Sequence, residues 1–248
     1  MPANEKDDLP NSQIVELKQI NDQSLSKKLG DWLKRHYLTL INFALATFLL
    51  LPVLAPVFMK TGQTRTADVI YRLYKPLCHQ LAFRSFFLFG EQAAYPHELA
   101  GVDNLVTFET STGLNGEDMV AASEFRGNEQ LGYKTALCQR DLSIYASLLL
   151  FGLFFALTGR KLKPLPWLAW IILALGPMGL DGFSQLISQM ELPTLSWFAM
   201  RESTPFLRVL TGVMFGWFTA WFGLPSIEEI INEKKPTNQA VSTPSKGT

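Results

Sequence analysis

Four stretches of this chain are too apolar to belong to the interior of an ordinary water-soluble domain. Residues 38–59 and 142–158 carry no charged side chain, and residues 166–190 and 205–224 carry one each, Asp181 and Arg208. A hydrocarbon core of roughly 30 Å takes about 20 such residues as a helix. Lipid offers no partner for peptide groups, so a single crossing segment has to satisfy its own backbone as a helix. The sequence therefore predicts an all-α integral membrane protein, a four-helix transmembrane bundle with spans at 38–59, 142–158, 166–190 and 205–224. The second span is short and borrows from Asp141 or Thr158 at its ends. A cleaved secretory signal is disfavoured for the first span, because its basic approach (residues 30–37) starts far from Met1 and its apolar run is too long.

The connecting segments give an orientation. Lys27, Lys28, Lys34 and Arg35 precede the first span, Arg160, Lys161 and Lys163 join the second to the third, and Lys234 and Lys235 follow the fourth. All three groups fall on one side, which the positive-inside rule makes cytoplasmic. The expectation is a disordered cytoplasmic tail over 1–29 with one short surface helix near 14–20, and a second cytoplasmic tail over 225–248. Between them lies a four-span membrane domain over 30–224. Residues 60–141 form a long extracytoplasmic loop between spans one and two, and 191–204, with Trp197, a short one between spans three and four. Inside the long loop, Val69, Ile70, Leu73, Tyr74 and Leu77 recur at helical spacing, and Lys75-Pro76 should end that helix. Residues 91–134 are rich in Gly, Asn, Glu and Thr and read as irregular, with short strands such as 105–109. The 22 basic and 22 acidic side chains cancel, and no basic stripe interleaves with aromatics, so nucleic acid is not expected as a partner. The bilayer is.

The candidate chemistry gathers on the extracytoplasmic side. Cys78 and His79 sit just past the predicted helix, and Cys138, the other of the two cysteines, stands directly before span two. Three readings are open: a Cys78–Cys138 disulfide on an oxidising face, two unpaired thiols, or a metal site. Cys78, His79, Cys138 and Asp141 are a donor set of the kind zinc takes, provided a turn after Pro76 brings adjacent residues to one ion. Asp181 and Gln185 are four apart on one face of span three, and antiparallel packing brings Arg208 beside them. An Asp181–Arg208 pair would relieve the cost of a carboxylate inside a bilayer; as a site, Asp181, Gln185 and Arg208 are the candidate catalytic groups. Arg84, Arg140 and Arg201, with Arg72 and Arg208, would suit a carboxylate, a phosphate or a lipid headgroup. Gly212 and Gly216 form a small-xxx-small pair for close helix packing. Glu202, His36 and His97 have no partner that sequence names, and are read as structural.

Taken in order, Cys78-His79-Gln80-x-x-x-Arg84-Ser85-Phe86, a cysteine before Ile144-Tyr145, Asp181-Gly182-x-x-Gln185, Arg201-Glu202-Ser203-Thr204, Arg208 and Thr211-Gly212 form a pattern. It resembles that of a family of small bacterial and archaeal membrane proteins known only as domain of unknown function 2085, over roughly residues 70–223. Two features depart from that family. Its second motif ends C-x-R-C, whereas here Asp141 follows Cys138-Gln139-Arg140, and the loop before Cys138 is far longer. An all-thiolate metal centre is thereby disfavoured, while a mixed Cys/His/Asp site and a disulfide both remain open. The resemblance implies no activity. The sequence leaves a metal-dependent membrane enzyme acting on an anionic ligand, or a non-enzymatic scaffold that binds a lipid, a quinone or a partner subunit.

Overall fold

A computed structural model describes residues 11–190 and 200–233. Four helices are long and apolar enough to cross a membrane: Ser24–Lys60, Gln139–Leu157, Trp167–Gln189 and Pro205–Glu233. The first belongs to α1 (Asn11–Lys60), whose portion up to Ile41 forms a compact unit of its own. Helix thus begins well inside the stretch that sequence alone reads as a polar tail. The physical reason is cooperativity: Gln, Glu, Lys and Leu propagate a helix that an apolar segment has already nucleated. The fourth helix, α8 (Pro205–Glu233), likewise runs through Pro225 instead of stopping at Leu224. Proline forfeits one backbone bond there, while the Ser226 hydroxyl donates to the Phe222 carbonyl at 2.6 Å, and Arg160 reaches Glu228 at 3.8 Å. The expected loop around Trp197 and the last residues of the C-terminal tail lie outside the described residues.

α5 (Gln139–Leu157) packs lengthwise on α8, and two glycines set the separation. A methyl group on Gly212 would press on the Arg140 carbonyl and the Ser143 side chain, and one on Gly216 would collide with Ser147 and the Ile144 carbonyl. Small residues at this spacing let two backbones approach where hydrocarbon gives no hydrophobic drive to pack. The third apolar helix consists of α6 (Trp167–Trp170), a π-helical turn over Ile171–Leu175, and α7 (Gly176–Gln189). Pro177 explains the π turn: its missing N–H breaks the regular ladder one turn back, and the widened turn absorbs the break.

Residues 61–138 are not wholly helical. After α2 (Thr64–Tyr74), which stops ahead of Pro76 as the sequence indicates, come β1 (Ser85–Leu88), α3 (Phe108–Thr112), α4 (Met119–Glu124), β2 (Gly127–Asn128) and β3 (Gly132–Cys138). The strands form an antiparallel sheet in the order β1-β3-β2, so the chain is mostly helical and not all-α. The strand expected over 105–109 does not form, because the Thr107 side chain caps the Thr110 N–H and starts α3 instead. Two apolar cores hold this region. One unites Ala55, Tyr71, Tyr74, Leu137 and Leu142 from α1, α2, β3 and α5; the other gathers Phe83, Phe87, Tyr95 and Phe108 beneath the sheet.

A fully buried lysine that sequence reasoning passed over joins this region together. Lys134, on β3, donates to the Gln80 carbonyl at 2.6 Å and the Ser123 carbonyl at 2.7 Å. Its own carbonyl accepts the Tyr71 hydroxyl. Burial, helped by the Arg126 charge, pushes the Lys134 ammonium down to about 7. The folded state therefore binds fewer protons than the unfolded one between pH 7 and the ordinary lysine range, and stability rises with pH across that window. The expected outcome is that the melting temperature of the wild type climbs from pH 7 to pH 9.5 relative to Lys134→Met, which lacks the titrating group. Parallel curves for the two proteins would show that Lys134 is not buried as described.

Candidate functional site

The signature stretch after α2 is a tight turn. The N–H groups of Leu77 and Cys78 both close on the Tyr74 carbonyl, and Pro76 prevents the helix from continuing. Gln80 then adopts a left-handed conformation, φ 55°, which costs a non-glycine residue roughly 1–2 kcal/mol. Its side-chain amide offsets this by donating to the Tyr71 carbonyl at 2.8 Å. The reversal sends adjacent residues to different places. Cys78 is buried in the core against Leu137 and Leu142, while His79 is exposed and its carbonyl accepts the Ser123 hydroxyl at 2.8 Å.

The sheet delivers the second cysteine. β1 pairs with β3 so that Ser85 faces Cys138, and the buried Gln139 amide donates to the Ser85 carbonyl at 3.0 Å. Cys138 is also the N-cap of α5: its sulfur accepts the Asp141 N–H at 3.5 Å. Helix N-termini favour negative charge, and both Cys138 and Asp141 occupy one. As a result one ligand atom each from Cys78, Cys138 and Asp141 lies within 4.8 Å of the others. Among the described residues this is the one cluster of metal-donor side chains, and His79 is not part of it. Both thiols are free. Cys78 is held below the ordinary thiol range chiefly by its hydrogen bond with Cys138, while that bond and burial push Cys138 up. One of the pair is thus the readier thiolate.

Across the first turn of α5 lies an ionic cluster. Asp181 and Glu202 are each only 5% exposed, and Arg208 4%. The pairing differs from the one expected. Asp181 is held by Arg140, by Arg201 at 2.9 Å and by the Ser203 hydroxyl at 2.6 Å. Arg208 pairs instead with Glu202 and donates from Nε to the Ser203 carbonyl at 3.2 Å. Glu202 also receives Arg84 through two bonds of 2.8 Å and the Gln185 amide. The reason is local. Glu202 lies on the approach to the Thr204-Pro205 helix start, where the chain turns back over the first turn of α8 and reaches Arg208 before Asp181 can. Gln185 therefore serves Glu202, not Asp181.

Charge is left over. Four guanidinium groups surround two carboxylates, and Nε of Arg140 is buried without a hydrogen-bond partner. The sequence-derived residues thus separate into two adjoining groups: Cys78, Cys138 and Asp141 as donors, and Arg84, Arg140, Asp181, Gln185, Arg201 and Arg208 as an ionic network. His79 joins neither. Glu202, taken from sequence as structural, is the network's centre; its position between Arg201 and the Ser203-Thr204-Pro205 helix start was the available signal. His97, read the same way, pairs with Glu109 at 3.3 Å.

Residues 127–222 match the family described as "Predicted membrane protein (DUF2085)". The match includes Cys138, Asp141 and the network from Arg140 to Arg208, but not Cys78, His79 or Arg84. An uncharacterized protein of Methanocaldococcus jannaschii, MJ1492, is 28% identical over 212 residues, covering 82% of this chain and 99% of the relative. No solved structure matches. These comparisons agree with the apolar helices in making the chain a membrane protein, and they name no activity.

The network predicts which charges couple. Removing one partner of a buried pair typically costs about 3–5 kcal/mol, so Glu202→Gln should lower the melting temperature of purified protein strongly, as should Arg208→Gln. The double variant Glu202→Gln/Arg208→Gln should lose clearly less than the sum of the two, whereas Asp181→Asn with Arg208→Gln should come closer to additive. The reverse ranking in a double-mutant cycle would reassign Arg208 to Asp181.

Proposed function

We propose that this is a multi-pass membrane protein whose extracytoplasmic end holds a divalent metal ion of the zinc class, with an adjoining guanidinium cluster that draws in an anionic ligand. The observation that carries this reading is the convergence of two thiols and a carboxylate, one from the turn after α2 and two from the start of α5, to within 4.8 Å of one another. Tetrahedral bonds of about 2.0–2.3 Å put ligand atoms roughly 3.4–3.8 Å apart, so only a small contraction would be needed. Three protein ligands leave a fourth position open, and an ion so held lowers the pKa of bound water and polarises an oxyanion. In that arrangement Cys78, Cys138 and Asp141 hold the metal. Arg140, which shares the first turn of α5 with Asp141, offers its unpartnered Nε to the ligand. Asp181, Gln185, Glu202 and Arg208 act as positioning residues that fix the guanidinium groups, Arg84 and Arg201 among them.

A second reading rests on the closeness of the two thiols, whose sulfurs lie within 4.8 Å of each other. Brought to bonding distance and oxidised, they would form a disulfide, which would leave a non-enzymatic module of the same architecture. Metal analysis separates the two. Protein purified without chelators should carry about one equivalent of zinc or a similar ion, lost in Cys78→Ser and in Cys138→Ser, kept in His79→Ala, and kept in Asp141→Cys, which supplies a third thiolate. Metal-free wild type with no titratable thiols would replace the metal reading with the disulfide. The orientation follows the basic segments: a cysteine at the exposed Asn104 should react with an impermeant maleimide in intact cells, and reaction only after permeabilisation would invert the protein.

A further inference from the structure

His79 and Arg84 belong to the signature stretch, yet His79 has no place in the donor triad and only part of Arg84 is used by Glu202. Both line a cavity of about 510 Å³. Lys75 and Arg84 bring positive charge to it and His79 an imidazole, with Glu124 as the one carboxylate among the described lining residues. Arg84 enters this cavity already oriented, since Nε and one Nη are clamped on Glu202; the other Nη has no partner among the described residues. The rest of the described lining is Ser123, Gln189 and three apolar residues: Leu81, which is buried, and Met119 and Val120 on α4, which are 47% and 66% exposed. A six-residue helix thus exposes two consecutive large apolar side chains beside two cations and an imidazole.

The depth of the cavity accounts for that mixture. Gln189, the last residue of the third apolar helix, is part of the wall, so the cavity opens where a membrane-crossing helix ends. Leu77, 60% exposed, stands between Lys75 and His79 on the same turn. A group bound there would meet cations on one side and acyl chains on the other. Cations of this kind recognise the phosphate of an anionic headgroup, with arginine as the directional donor and lysine as the point charge.

We propose that this cavity binds the phosphomonoester headgroup of an anionic amphiphile, held by Lys75, His79 and Arg84, with Leu81, Met119 and Val120 receiving the first carbons of its chain. The site is separate from the metal donors and does not require them to be loaded. Phosphate itself could come from a lipid or from solution, and the test distinguishes the two. Full-length protein in a non-ionic detergent is melted in the presence of dihexanoyl phosphatidic acid, dihexanoyl phosphatidylcholine or inorganic phosphate at equal concentration. The expected result is a concentration-dependent rise in melting temperature with phosphatidic acid and little change with the other two. Lys75→Gln/His79→Gln and Val120→Ser are exposed substitutions that leave the Arg84–Glu202 pair intact. The double variant should weaken the response roughly tenfold, the loss of charge-assisted contacts, and Val120→Ser should weaken it without changing the indifference to phosphate. An equal rise with inorganic phosphate would make the ligand a free ion and overturn the amphiphile. An equal rise with phosphatidylcholine, or an unchanged response in the double variant, would overturn the site.

Discussion

Glu202 is the point on which the arrangement turns. Its carboxylate joins Arg84 from the segment after α2, Gln185 from α7 and Arg208 from α8, while its N–H donates to the Leu99 carbonyl at 3.1 Å. One side chain thereby fastens the region before α5 to the ends of two apolar helices. Burying an ion is expensive, and its partners repay the cost only when every hydrogen bond is made. Such a group works as a registry device: displace one helix end by a turn and an uncompensated charge is left among apolar neighbours. Asp181 does the same for Arg140 and Arg201, so both carboxylates act at the one end of the helices where the donor triad is assembled.

Position at that end is set by three further constraints. Gly212 and Gly216 let α8 lie against the backbone of α5, which carries Arg140 to the cluster and Asp141 to the triad. The pairing of Ser85 with Cys138 then fixes where β3 hands over to α5, and the left-handed turn at Gln80 decides that Cys78, and not His79, points inward. Lys134 ties the two together, since its ammonium holds the Gln80 carbonyl from a strand that ends four residues later at Cys138. Strand register, a strained turn and a buried cation thus place two sulfurs that are sixty residues apart in the chain.

The parts of this that were legible in sequence are those governed by local rules. Apolar runs with at most one charge marked the four long helices, Lys75-Pro76 marked the end of α2, and Gly212-xxx-Gly216 marked a close helix contact. What the sequence withheld was decided by non-local competition. Asp181 and Arg208 looked like partners because each is the only charge in its span, but Glu202 lies nearer to Arg208 and intercepts it. Lys134 looked like a loop lysine because strand alternation around Tyr133 and Thr135 is short and its acceptors are backbone carbonyls, which no residue type announces. His79 looked like a ligand because it adjoins a cysteine; nothing short of the Gln80 φ angle tells the two apart.

The donor triad and the arginine cluster also constrain one another through charge. With both thiols protonated, Asp141 and the two buried carboxylates stand against four guanidinium groups, a balance of one positive charge. On the proposed reading, a divalent ion enters as two thiol protons leave, since metal binding requires thiolates. Two charges arrive and two depart, so the balance is still one positive charge. Loading therefore imposes no new net charge on a region where an added ion would be costly to desolvate. A third thiolate in place of Asp141 would lose a third proton on loading, and that exchange would no longer be neutral. On the same reading, the surviving positive charge would suit a single anionic ligand beside Arg140, whose Nε lacks a partner.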